Sequence, residues 1–290
     1  MIPETGTGYS QAMALRPDSL GFVTEPVVHG YGWRDVVLYA LGIGATVDEL
    51  DFLYEARGPL VYPCYAVIPA FEAARAAFEA VGGNPLGIVH HGQKVELHRP
   101  LKSSGTLFSR ARVAGVYDLK RMAMVIIATE TRDDSEELIC ETEFSIIFRL
   151  DGNFGGEAPP RRPKHKPPDR EPDLRVEQPS SREQAALYRL CGDDNPLHID
   201  PDVATSVGFD RPILHGLCTF GFVCRAVLQA AAGNDPSRLK VLAGEFRKPV
   251  WPGETLTTEI WKEPDRLILR ASTRERPGDI AFGSAYAEVI

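Results

Sequence analysis

The segment YRLCGDDNPLHIDP, residues 188–201, carries Asp193, Asp194, Asn195 and His198 around Pro196. An aspartate and a histidine that reach one water can take a proton from it and hand one to a neighbouring carbon, which is general acid–base catalysis. Asp193 and His198 stand five residues apart, too far for one helical turn, but Pro196 bends the chain between them and can bring both side chains to the same water. Asn195 offers an amide that orients that water or a carboxylate, and Asp194 reads as a solvent-facing bystander. The competing reading is an Asx turn, in which Asp193 and Asn195 cap a helix and His198 is a buried structural residue.

A third element follows in PILHGLCTFGFVCRAVLQAAA, residues 212–232. Pro212 and Gly216 precede an apolar helix, so the Gly216 N–H is expected near a helix N-terminus, where unpaired donors and the macrodipole favour a developing oxyanion. Close packing of Gly216 against a sheet is a compatible second role. His215 reads as a structural polar contact and stays outside the catalytic set.

These residues need a scaffold, and the chain divides itself into one. Residues 151–178, with three glycines, six prolines and no apolar period, read as an extended linker. Its basic run, Arg161, Arg162, Lys164 and Lys166, reads as solvated. Residues 1–27 are an N-terminal extension, and the halves 28–150 and 179–290 look like diverged copies. VLYALGIGA (37–45) echoes ALYRLCGDD (186–194), and PLVYPCYAV (59–67) echoes PILHGLCTF (212–220). Each half runs from a short helix through a loop to a longer apolar helix and then to runs rich in valine, isoleucine and aromatics. Strands after one long helix predict an α+β class with an antiparallel sheet wrapped round a central helix, a hot-dog, and the duplication predicts a double hot-dog.

Taken together, YRLCGDDNPLHIDP and GFDRPILHGLCTFGF (208–222) closely resemble the signature of the hydratase 2 enzymes, the MaoC-like (R)-specific enoyl-CoA hydratases. YGWRDVVLYALGIGATVDEL, LICETEFSIIFRL, AALYRL and FRKPVWPGETLTTEIWKE are similar to the hydratase domain of peroxisomal multifunctional enzymes type 2, so the likeness runs from about residue 28 to the end. The resemblance implies a lyase of β-oxidation that adds water to a trans-2-enoyl-CoA, giving a (3R)-3-hydroxyacyl-CoA, or runs in reverse as a dehydratase. It implies no metal or redox cofactor, coenzyme A being part of the substrate, and it puts Asp193, Asn195 and His198 in the catalytic places. A homodimer and a separate 3-hydroxyacyl-CoA dehydrogenase to oxidise the product are the expected partners. Hydration needs a base for water, an acid for Cα and a donor for the enolate-like oxygen, which Asp193, His198 and Gly216 can supply.

The duplication supplies a comparison within one chain. Asp193 aligns with Gly44, Asn195 with Thr46, His198 with Glu49, and His215-Gly216 with Tyr62-Pro63. The N-terminal repeat has therefore lost the chemistry, proline having no N–H to donate. Pro63 and Pro69 are expected to loosen its long helix and leave room for an acyl chain. For coenzyme A, Arg247 and Lys248 on a strand of the active repeat and Lys120 on the other are the candidate cations. The resembling family lines its acyl-CoA site with a His-Gly pair before a VEL-type strand. Here the match falls on His90-His91, which puts a tight backbone approach in doubt. Phe246 matches a family aromatic and reads equally well as core.

Composition narrows the partners. A chain of 290 residues with 32 basic against 40 acidic groups, net −8, does not favour nucleic acid or an anionic membrane as a partner. No stretch is apolar for the roughly 18 residues a spanning helix needs. Five scattered cysteines without metal-ligand spacing, no secretion signal and no peroxisomal C-terminal tripeptide lead to an expected cytoplasmic location. A hot-dog thioesterase or a non-catalytic acyl-CoA-binding module remains the alternative. Thioesterases of this fold usually carry a carboxylate on the central helix, and CTFGFVCRAVL has none.

Overall fold

The computed structural model describes residues 14–290, so residues 1–13 of the expected N-terminal extension lie outside the described residues. The first repeat runs β1 (Val27–Tyr31), α1 (Trp33–Gly42), α2 (Leu50–Leu53), α3 (Val67–Val81), β2 (Ile88–Leu97), β3 (Gly105–Asp118), β4 (Ala123–Asp133) and β5 (Leu138–Phe148). The second runs β6 (Leu174–Pro179), α4 (Gln184–Tyr188), α5 (Pro201–Ser206), α6 (Gly216–Ala231), β7 (Leu239–Phe246), β8 (Thr255–Lys262), β9 (Leu267–Thr273) and β10 (Phe282–Val289).

All ten strands join one sheet in the order β1-β3-β4-β5-β2-β7-β10-β9-β8-β6. Each repeat contributes five strands in the same internal order, and the halves meet where β2 runs antiparallel to β7, with Gly92 opposite Glu245 and Glu96 opposite Val241. This is the double hot-dog. The strands alternate burial along one face, as a half-covered antiparallel sheet requires. The covered face packs on the long helices. In α6 every residue from Leu217 to Leu228 is buried, whereas α3 leaves Glu72, Arg75 and Glu79 exposed.

Two expectations change. Residues 174–178, assigned to the linker, form most of β6, and Trp261 on neighbouring β8 donates its indole N–H to the Arg170 carbonyl at 2.9 Å. The rest of the linker lies along the sheet, and its basic run, Arg161, Arg162, Lys164 and Lys166, stays exposed, as expected. Arg162 pairs with Glu143 on β5, and His165 packs on Tyr286 of β10 with ring centroids 4.2 Å apart. The α3 helix is not broken either: Pro63 starts a 3-10 turn, Pro63–Ala66, and Pro69 falls in the first turn of α3, where a missing N–H costs no helical bond.

Candidate active site

After α4 a 3-10 turn, Arg189–Cys191, leads to Gly192, whose φ of +120° suits glycine and swings the chain toward Asp193. Asn195 then caps a second 3-10 turn, Pro196–His198, its side-chain oxygen accepting the Leu197 N–H at 3.0 Å. Asp200 caps α5 through the N–H of Asp202 at 2.8 Å. The Asx-turn reading is thus right about Asn195, which spends its oxygen on the cap and keeps its NH2 group for another partner. Asp193 caps no helix. Its carboxylate receives only a long contact, 3.4 Å, from the Asn195 N–H. Asp194 is exposed, as expected.

His198 is nearly buried, and its Nδ1 lies 2.8 Å from the Ile213 carbonyl. A carbonyl only accepts, so Nδ1 carries the proton and Nε2 keeps its lone pair. Burial pulls the His198 imidazole below its ordinary value against the opposing pull of Asp193. Burial likewise raises the Asp193 carboxyl, opposed by His198. A part-buried carboxylate beside a neutral imidazole is a pair poised to exchange a proton.

His215, fully buried, is the residue that sequence reasoning set aside. Its Nε2 lies 3.1 Å from the Asp193 carbonyl, and its ring lies on that of His198 with centroids 3.7 Å apart. Potential donor atoms of Asp193, His198 and His215 all fall within 4.8 Å of one another. The two rings are tilted by 30°, and each commits one N–H to a carbonyl, which leaves a lone pair on His198 Nε2 and on His215 Nδ1. In a second such cluster, Glu96, His98 and Glu141, the groups already have partners: His98 Nε2 lies 2.8 Å from Glu141 and Lys94 pairs with Glu96 at 2.6 Å.

Gly216 is the first residue of α6, so its N–H has no acceptor within its own helix. A β-carbon there would touch the Phe246 ring at 3.5 Å, an ordinary contact, so neither strain nor a clash requires glycine. A side chain would instead fill the space between the helix end and Phe246. That ring also meets His90 edge-on, centroids 5.0 Å apart, and His90 stacks on Phe144 at 5.7 Å. Phe144 meets Phe71 of α3 at 6.5 Å, so an aromatic row runs from Gly216 into the first repeat. Burial lowers His90 to about 4.

The other substrate candidates separate. The β2 register steps over His91, with His90 opposite Ile146 and Gly92 opposite Ser145, so His91 is the extra residue of a bulge. At the next residue, Gly92, a β-carbon would stand 3.1 Å from the Gly244 carbonyl oxygen. That contact is the approach of the paired strands β2 and β7. Arg247 and Lys248 are exposed just beyond β7, Arg247 donating to Glu245 at 2.9 Å. Lys120 sits in the β3–β4 hairpin, with β4, β5 and β2 lying between it and β7, and does not join the cluster.

At the position aligned with His198, Glu49 enters a buried network. It accepts from Arg225 Nε at 2.9 and 3.0 Å, from the Tyr62 hydroxyl at 2.7 Å and from Gln229 at 3.1 Å. A single arginine in the apolar run CTFGFVCRAVL was the sequence signal for a buried acidic partner.

Comparison with known proteins fits this geometry. Residues 29–150 match the MFE-2 hydratase 2 N-terminal domain, and residues 163–276 match the MaoC like domain. The chain is 40% identical to 3-hydroxyacyl-thioester dehydratase Y of Mycobacterium tuberculosis, over 92% of this chain and 94% of that one. It is 36% identical to the peroxisomal enoyl-CoA hydratase 2 of Arabidopsis thaliana, over 87% and 89% of the two chains. Among solved structures it is similar to a MaoC-like dehydratase from Phytophthora capsici, with a TM-score of 0.86 and 31% identity over 95% of this chain and 98% of that one.

Proposed function

The chain belongs to the MaoC-like hydratase 2 family, and from that premise we propose that it adds water reversibly to a trans-2-enoyl-CoA, giving a (3R)-3-hydroxyacyl-CoA. The observation that carries this proposal is the meeting of part-buried Asp193 and buried His198 in one group beside the N-terminus of α6. The pair holds one water. A proton leaves the water as its oxygen bonds to Cβ, a proton is delivered to Cα, and the Gly216 N–H steadies the thioester oxygen while it carries enolate charge. Water and the double bond are consumed, no electrons are exchanged, and the reverse path is dehydration. Asn195, through its free NH2 group, orients the water.

The aromatic row Phe246–His90–Phe144–Phe71 supports acyl-chain binding along the first repeat, in which the catalytic positions carry Gly44, Thr46 and Glu49. His91, Arg247 and Lys248 at the adjoining sheet end are our candidates for the coenzyme A moiety. Lys120 is a weaker one, being on a distant hairpin. No metal or redox cofactor enters the proposed steps. A thioesterase is disfavoured because α6 carries no carboxylate. No described helix is long and apolar enough to cross a membrane, and the five cysteines are unpaired, which supports a reducing compartment, the cytoplasm in our reading. We take the assembly to be a homodimer, and a separate 3-hydroxyacyl-CoA dehydrogenase to oxidise the product.

The test is loss of the ultraviolet absorbance of the conjugated enoyl thioester across a series of chain lengths and one steroidal CoA ester. Hydration of some members supports the function. Release of free coenzyme A without hydration would support the thioesterase.

A further inference from the structure

We infer that His215 is a positioning residue for the acid/base pair: its Nε2–H holds the Asp193 main-chain carbonyl while its ring face seats the His198 imidazole. The inference rests on the proposed roles of Asp193 and His198. His215 precedes the first residue of α6, so it is fixed to the helix that carries the Gly216 N–H. One side chain therefore ties three parts of the site to a single rigid element: the Asp193 loop through a 3.1 Å hydrogen bond, His198 through a 3.7 Å ring contact, and the helix N-terminus through the chain itself. Tyr188 packs on the same ring from α4, centroids 4.9 Å apart, and limits its movement.

A residue retained for packing alone would be apolar here. His215 instead keeps a buried Nδ1 with no hydrogen-bond partner among the described residues, a standing cost. Burial first, and then the neighbouring His198 and Arg189, push it down to about 2, which favours the neutral ring. Neutrality suits the role, because a second positive charge against His198 would oppose the imidazolium formed when that ring takes a proton. The titratable groups facing the two rings are Asp193, Arg189 and Tyr188, with Asp194 acting through Asp193.

The test pairs two variants that each keep half of the function. His215→Phe keeps a ring face and loses the donor; His215→Gln keeps a donor and loses the ring. Each is expected to lower kcat on crotonyl-CoA by on the order of tenfold to 10²-fold with KM little changed, the size of a misplaced catalytic group. Each should also shift the acid limb of the kcat/KM pH profile toward the ordinary histidine value as His198 loosens from its buried seat. A purely structural His215 would reduce the folded fraction and leave kcat per folded molecule and the pH profile unmoved; that result overturns the inference. Asp193→Asn is assayed alongside, because an active Asp193→Asn protein would refute the acid/base assignment itself rather than the role of His215. Should both His215 variants fail to fold, nitrogen-15 spectra of the wild-type histidines decide. His215 is expected as the non-titrating Nε2–H tautomer and His198 as the Nδ1–H tautomer, and a His215 that titrates or carries its proton on Nδ1 overturns the inference.

Discussion

Arg225, on the central helix of the C-terminal repeat, grips Glu49, in the loop of the N-terminal repeat, with NH2 2.8 Å from one carboxylate oxygen and Nε within 3.0 Å of both. The duplication aligns Glu49 with His198, so the position proposed to do chemistry in one repeat is a charged joint between the two repeats in the other. Burial pushes the Glu49 carboxyl up, but the contacts from Arg225, Tyr62 and Thr46 outweigh it and leave the group below its ordinary value.

Glu49→Gln strands the Arg225 charge, and removing one partner of a buried ion pair costs roughly 3–5 kcal/mol. The thermal midpoint should fall by at least roughly 6 °C, while kcat per folded molecule on crotonyl-CoA stays nearly unchanged. Because the folded-state value lies below the unfolded one, the joint contributes fully above the unfolded Glu value and is lost as the pH falls through the folded one. Denaturant titrations across acidic pH should show a steeper acid loss for wild type than for Glu49→Gln. A variant as stable as wild type, or one with impaired kcat, would contradict the assignment.

At the working site, Asp193→Asn or His198→Ala should lower kcat by at least about 10²-fold without comparable loss of folded protein. Asp194→Ala should keep most activity, its carboxylate being exposed and outside the cluster. Steady-state kinetics with circular dichroism checks all three. A loss at Asp194 equal to that at Asp193 would mean the other carboxylate acts.

The pH profile should carry the mark of burial. His198 is lowered from 6.5 and Asp193 raised from 3.8, each partly offset by the other. Activity that needs the ionised carboxylate and the neutral imidazole should persist below the pH at which a free histidine becomes charged. The acid limb of kcat/KM then falls between those two ordinary values, as an apparent value of the pair. A limb at or above 6.5 would count against a buried, coupled pair.

Substrate length probes the aromatic row. Phe71→Trp enlarges a half-buried side chain of α3 that reaches the row at Phe144. It should depress kcat/KM for long acyl chains more than for crotonyl-CoA. Equal losses on both would indicate a general packing defect.

Much of the fold was legible because its signals are local. The apolar runs of α3 and α6, and the β-rich stretches after them, follow from periodicity and turn residues. The short strands β1 and β6 were missed because their pairing is with β3 and β8, far along the chain, and because β6 begins inside a proline-rich segment. Pro63 and Pro69 read as helix breakers since the sequence does not show that the helix starts only at Val67. In the site, the meeting of Asp193 and His198 was legible from one short motif. The seat under them was not: His215 faces Asp193 through a main-chain carbonyl, which no side-chain pattern announces. The bulge at His91 was not legible either, because the shift in register is a property of pairing with β5.

The most direct measurement of the central claim is the stereochemistry of hydration in D₂O. Asp193 and His198 leave one short loop and meet in one group, so a single water between them gives its oxygen to Cβ and a deuteron to Cα from the same face. Crotonyl-CoA should give the syn adduct of (3R) configuration by chiral separation and NMR of the product, the handedness following from the family. An anti adduct would put acid and base on opposite faces and contradict a shared water, and a (3S) product would mean that the enoyl group presents its other face to the pair.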